Sequence, residues 1–236
     1  MKVNDNKTEL CKFHKTDITQ VEIMLNNVTI KSQNSMNVLG VEFDSKLNWT
    51  PHVNKTIIKA NKTLYAIKLI RKYFTSKELL GLLTSNFYSV LFYNSEIWHL
   101  PTLCPEIKQM LLSASARALK LTQKYVNPLQ SFINIHKECN RSTPEKMSLY
   151  KHALLLHKLY NSQLPEMDWI ALNFQQTHST RNANFNVTKT NNYRVGNNII
   201  TNRLHCLNDM IPLVDLNDSW STFKIKCKRT LLTHTQ

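Results

Sequence analysis

Glycine is the feature that most narrows what this chain can become. Only three glycines, Gly40, Gly81 and Gly196, occur in 236 residues, and no two are close together. A G-x-G-x-x-G dinucleotide turn, a G-x-x-x-x-G-K-[ST] phosphate loop and a G-x-S-x-G nucleophile elbow each need two or more neighbouring glycines. All three are excluded, and no H-E-x-x-H is present. The composition is otherwise that of a globular protein, with 42% apolar and 19% charged residues. It is enough for one large or two small domains with a real core.

Charge then points to a partner. Lys and Arg total 30 against 16 Asp and Glu, a formal net charge of +14. The excess is concentrated. Lys46, Lys55, Lys59, Lys62, Lys68, Arg71, Lys72 and Lys77 fall between Asp44 and Glu78 with no acid among them. A stretch so one-sided suits a polyanion, and nucleic acid is the expected partner. Five widely spread cysteines fit free thiols in a reducing compartment, not a disulfide scaffold. The opening residues 1–7 are polar, so no secretory leader is expected. The uncharged run 79–95 holds Thr84, Ser85, Asn86 and Ser89, which suits a buried helix and not a membrane span. An intracellular location, cytoplasmic or nuclear, is expected.

Periodicity divides the chain into an α+β protein. Alternation over 8–14, 21–25, 28–30 and 36–43 predicts a small N-terminal antiparallel sheet, with Asn26-Asn27 as a turn and Gly40 inside a strand as a bulge. From Thr50, a candidate N-cap, and Pro51, the chain reads as helical. Val53, Ile57, Ala60, Leu64 and Ile67 recur as one buried stripe. Lys55, Lys59 and Lys62 share its spacing but lie about 200° round the helix at 100° per residue. Further helices are expected from Ser76 to about Trp98, from Pro105 to Thr122, from Thr143-Pro144 along Met147, Tyr150, Leu154 and His157, and from Ser219 to Leu232. The organisation is thus a β segment (1–49), a helical bundle (50–172), an Asn-rich loop or linker (173–198) and a helical tail (199–236).

Several landmarks resemble one family. Asn4-Asp5-Asn6-Lys7-Thr8-Glu9-Leu10 resembles the N-x-x-K-T-E strand of non-LTR (LINE-type, jockey- and CR1-like) retrotransposon reverse transcriptases. Val38-Leu39-Gly40-Val41-Glu42-Phe43-Asp44 is similar to their L-G-V-x-F-D primer-grip turn. Lys59-Ala60-Asn61-Lys62 and 93–98 resemble their helical thumb, and 202–224 their C-terminal region. The resemblance implies the end of a palm, a thumb and a C-terminal region, with palm and fingers as upstream partners in a longer chain. It places Lys7 at a proton-donor position and Leu39 and Gly40 at the primer grip. The full-length family enzyme uses Mg2+ on two upstream aspartates, one in a Y-x-D-D turn. The seven aspartates here include no adjacent pair. Phosphoryl transfer needs carboxylates that hold two ions about 3.5–4 Å apart. The chain as it stands is therefore expected to be no enzyme, with no cofactor of its own and an inactive setting for Lys7.

The expected residual activity is non-specific binding of RNA–DNA or DNA duplex. Lys55, Lys59 and Lys62, with His52 one turn earlier, are the candidate phosphate contacts, and Leu39 and Gly40 a candidate backbone approach. Charge reversal of Lys55, Lys59 and Lys62 predicts a salt slope flatter by about three units, at about 0.9 per phosphate lost. Tyr65, Tyr73, Phe87, Tyr88, Phe92, Tyr93 and Trp98 are expected mainly in the core. The pairs Cys11/His14 and His136/Cys139 have spacings that zinc accepts, but no supporting signature, so no metal site is expected. Two other readings compete: a helical protein–protein interaction module with a basic surface, and a non-functional product of a decayed element.

Overall fold

Short alternating stretches near the N-terminus form strands because β-branched and polar residues take turns along them. The structure, a computed structural model, describes residues 8–13, 20–99, 103–123, 127, 129–161 and 215–232. Strands β2 (Glu22–Leu25) and β3 (Val28–Gln33) pair antiparallel, with Ile23 opposite Ile30. Asn26 and Asn27 join them with φ of 48° and 63°, the left-handed pair that this hairpin turn requires. Strand β1 (Leu10–Cys11) lies parallel to β3, with Leu10 beside Ser32. Strands β4 (Ser35–Val38) and β5 (Val41–Asp44) make a separate hairpin.

Two sheets, of three and two strands, therefore replace the single antiparallel sheet expected over 8–43. β1 and β2 do run oppositely, as a chain reversal would give, but β3 inserts between them and so lies parallel to β1. Gly40 is not inside a strand either. Leu39 (φ 49°) and Gly40 (φ 81°) form the two-residue turn between β4 and β5. Asn37 Oδ1 accepts the Gly40 N–H at 3.1 Å and fixes that turn.

The remaining described elements are helical. Helix α1 (Thr50–Ile70) runs into a 3-10 turn (Arg71–Tyr73). Then come α2 (Ser76–Leu82), a π-helical stretch (Leu83–Tyr88), α3 (Ser89–Leu91) and α4 (Ser95–Trp98). Helices α5 (Pro105–Lys120), α6 (Phe132–Glu138), α7 (Pro144–Asn161) and α8 (Trp220–Leu232) complete the set. The α+β architecture is as expected; the Asn-rich segment 173–198 lies outside the described residues.

Several local details differ from expectation. Trp49, not Thr50, is the N-cap of α1, and Thr75 caps α2. Thr75 and Glu78 form a capping box, whose hydrogen bonds hold the Glu78 carboxyl below its ordinary range. The single helix expected over 76–98 is interrupted. Thr84 Oγ1 donates to Leu80 O at 2.7 Å, Ser85 Oγ to Gly81 O at 3.1 Å and Ser89 Oγ to Ser85 O at 2.6 Å. Such hydroxyls compete for the carbonyls of the helical ladder, and here the turns widen to π geometry. Asn94, at φ 48°, then turns the chain into α4.

The core forms where α1 meets the following helices. Val53, Ile57, Ala60 and Ile67 pack with Leu83, Phe87, Leu91, Ile107 and Leu111. Trp98 is fully buried, and its indole N–H donates to Tyr93 O at 2.9 Å. Along α7 the buried face carries Ser148, His152, Ala153, Leu156 and His157. Of the expected stripe, His157 is buried, whereas Met147, Tyr150 and Leu154 are only partly buried. Buried polar groups shift the stripe, and two of them are bonded: Ser148 Oγ donates to His99 O at 2.9 Å and His157 Nε2 to Asp218 O at 2.8 Å. Phe223, Cys227 and Leu231 of α8 are buried, and the Phe223 ring lies 4.2 Å from that of His157.

Candidate nucleic-acid interface

The basic helix is positioned by one carboxylate. Asp44, at the end of β5, accepts the backbone N–H of Lys46 and Asn48 on Oδ1, both at 3.1 Å, and that of Trp49 on Oδ2 at 2.9 Å. These bonds hold Leu47 and Trp49 in the left-handed region, at φ 53° and 64°. They also set a negative charge at the start of α1, whose first turn has no acid of its own. That arrangement favours the helix dipole. The Trp49 ring is buried against Phe43, with centroids 5.3 Å apart. Hairpin and helix thus form one joint.

Lys59 and Lys62 stand where the sequence places them. Both are exposed on the side of α1 opposite Val53, Ile57 and Ala60. Neither has an acidic partner among the described residues. Lys55 is also exposed, but its Nζ is 2.8 Å from Oε1 of Glu42, a largely buried carboxylate on β5. That oxygen also lies 3.3 Å from Ser35 Oγ. The sequence hid this pair, because Glu42 is thirteen residues away across a turn and joint. Lys55 consequently brings little net charge to the surface.

His52 is a correction. It is 5% exposed and packs edge-on against Trp98, 5.3 Å between ring centroids. Its Nδ1 accepts the Glu42 N–H at 3.2 Å, which leaves Nε2 protonated toward Thr56 Oγ1 at 3.5 Å. Burial pushes its pKa down, with Glu42 opposing and Lys55 assisting. A neutral, buried ring cannot meet a phosphate. It sits only about 20° round the helix from Lys59 at 100° per residue, just on the wrong side of the boundary.

Leu39 and Gly40 lie at the exposed tip of the β4–β5 hairpin. Tyr93 Oη donates to Leu39 O at 3.1 Å, and a Cβ on Gly40 would stand 3.4 Å from the Tyr93 ring. The turn is therefore braced from the helical side. Lys7 and His14 lie outside the described residues.

The aromatic set divides. Phe87, Phe92 and Trp98 are buried as expected, whereas Tyr65, Tyr73 and Tyr93 are exposed. His136 does not pair with Cys139 for a metal. Its Nδ1 donates to Phe132 O at 2.8 Å and its Nε2 accepts from Ser115 Oγ at 2.8 Å, which in turn lies 3.0 Å from Tyr88 Oη. Ser115 and His136 are completely buried, so this chain of bonds fastens α5, α6 and the π-helical stretch together. Among the described residues no three His, Cys, Asp or Glu gather to hold a metal. Of the two carboxylates on β5, Asp44 accepts three backbone N–H groups and Glu42 Oε1 is held by Lys55. A cavity of about 290 Å³ is lined by Ile57, Gln109, Met110, Ser113, Arg117 and Phe132. It offers no carboxylate, imidazole or thiol for catalysis.

No protein-family model, no curated protein and no solved structure matches the chain. Among the described residues no helix is long and apolar enough to cross a membrane.

Proposed function

We propose that this chain corresponds to the end of the palm, the thumb and the C-terminal region of a non-LTR retrotransposon reverse transcriptase, that it carries no catalytic aspartate pair of its own, and that its activity is non-specific binding of nucleic acid through α1. One observation carries the binding reading: Lys59 and Lys62 project from a long helix whose whole segment, from Lys46 to Lys77, contains no acid. Origin is supported by order alone. A short strand, a Leu-Gly hairpin tip and a long basic helix follow one another as in the family. The lack of a catalytic pair is argued from the seven aspartates, none of them adjacent.

The expected substrate is a DNA or RNA–DNA duplex, held by its phosphates and not read by sequence. The test is affinity for a duplex as a function of salt. With Lys55 held by Glu42, Lys59→Ala together with Lys62→Ala flattens the log–log slope by about two units, at about 0.9 per phosphate contact. Lys55→Ala alone changes it by far less. An unchanged slope in the double variant overturns the proposal, and binding that persists at high salt favours a protein-interaction module instead.

A further inference from the structure

The outer face of α1 is not only basic. Ile58, Tyr65 and Leu69 are 59%, 65% and 61% exposed, and Tyr73, in the following 3-10 turn, is 73% exposed. At 100° per residue, Lys55, Ile58, Lys59, Lys62, Tyr65 and Leu69 share about 120° of arc. An apolar band thus lies alongside the cationic one. A duplex offers such a band little, because the faces of its bases are stacked inside and only their edges and the phosphates are exposed. An unpaired strand does, because each base has a free π-face.

We infer that this face takes single-stranded nucleic acid, with bases stacked on Tyr65 and Tyr73 and phosphates on Lys62, Lys68 and Lys72. The inference rests on the nucleic-acid-binding reading and adds single strands to the duplex as substrate. Tyr65 has Lys62 three residues before it and Lys68 three residues after, the spacing that makes side chains neighbours on a helix. A base on Tyr65 therefore has a cation on either side for its flanking phosphates. Lys72 Nζ already lies 4.9 Å from the Tyr73 ring centroid, so cation and ring are gathered at one point. Tyr65 and Tyr73 are eight residues apart, about 12 Å at 1.5 Å per residue. That exceeds three steps of a stacked strand at 3.4 Å, so the two rings serve separate nucleotides. Leu69 lies between them as an apolar floor. A basic helix with exposed apolar residues also suits an anionic bilayer, but Lys62 sits between Ile58 and Tyr65 along the stripe. That breaks up the continuous apolar surface that insertion requires.

The test uses the full chain, a fluorescein-labelled oligo-dT, a random-sequence duplex and phosphatidylserine vesicles. Oligo-dT is expected to bind, Tyr65→Ala and Tyr73→Ala each to lower that affinity about tenfold, and Tyr65→Phe to restore it. Duplex affinity and its salt slope stay as in the parent. Oligo-dT affinity unchanged by loss of both rings overturns the inference. So does an equal loss on duplex and single strand, or ring-dependent binding to vesicles with none to oligo-dT. Duplex binding with a normal salt slope but no oligo-dT binding overturns this inference alone. Failure of both nucleic acids overturns the underlying reading as well.

Discussion

Two buried histidines, His52 and His99, link protonation to folding at single residues. His99 is the sharpest case. It stacks on Trp98 with ring centroids 5.4 Å apart, and its Nδ1 finds no partner among the described residues. Burial first, and then Lys108, pushes its pKa down to about 4. The unfolded side chain titrates near 6.5, so below that pH the unfolded state takes up a proton that folded His99 refuses. The stability is full above pH 6.5 and is lost as pH falls toward 4. Between pH 7 and pH 5 the loss from this residue is about 2 kcal/mol, at 1.36 kcal/mol per unit. His52 acts in the same sense. Urea midpoints measured at the two pH values should differ clearly in the parent and differ less in His99→Gln. An equal difference in the two proteins would rule His99 out as a source. None of this was legible beforehand, since nothing in the spacing of the nine histidines marks a buried ring.

At the scale of elements, the β4–β5 turn breaks a local rule. Leu39 holds a left-handed conformation at φ 49° while its side chain is 84% exposed. A two-residue turn of this kind favours Asn-Gly, and with Leu-Gly it is strained without packing of the Leu39 side chain to compensate. Leu39→Asn should therefore stabilise the fold by about 0.5–1 kcal/mol, read as a higher denaturation midpoint. The Tyr93 bond survives, because it uses the backbone carbonyl. A lower midpoint would show that the Leu39 side chain has a packing role. The contrast with Asn26-Asn27 explains what sequence reveals about turns. Asparagines announce the β2–β3 turn, but a leucine between two valine strands reads as strand, so Gly40 passed for a bulge. The same limit applies to α2 and the π-helical stretch. Apolar spacing marks a helix there, but only the bonds of Thr84, Ser85 and Ser89 decide where it widens.

For the molecule as a whole, the stripe Val53, Ile57, Ala60 and Ile67 was readable because nothing polar interrupts it, and with it the exposed position of Lys59 and Lys62. The neutralisation of Lys55 by Glu42 and the withdrawal of His52 were not readable, because both depend on how the β4–β5 hairpin docks. A formal charge of +14 remains on 236 residues, concentrated along one segment. Such a charge opposes the compact state through self-repulsion, and salt relieves it, with a screening length of about 10 Å at 0.1 M. The melting temperature should therefore rise between 20 and 200 mM NaCl. A gain of about 1 kcal/mol corresponds to about 2–4 °C for a chain of this size. Over the same range duplex affinity should fall, because the salt that screens the lysines from one another also screens them from phosphate. A melting temperature that falls with salt would mean that attractive pairs such as Lys226–Asp218 and Lys151–Glu96 outweigh the repulsion. The opposite movement of the two curves, folding up and binding down, is what a surface with surplus positive charge requires.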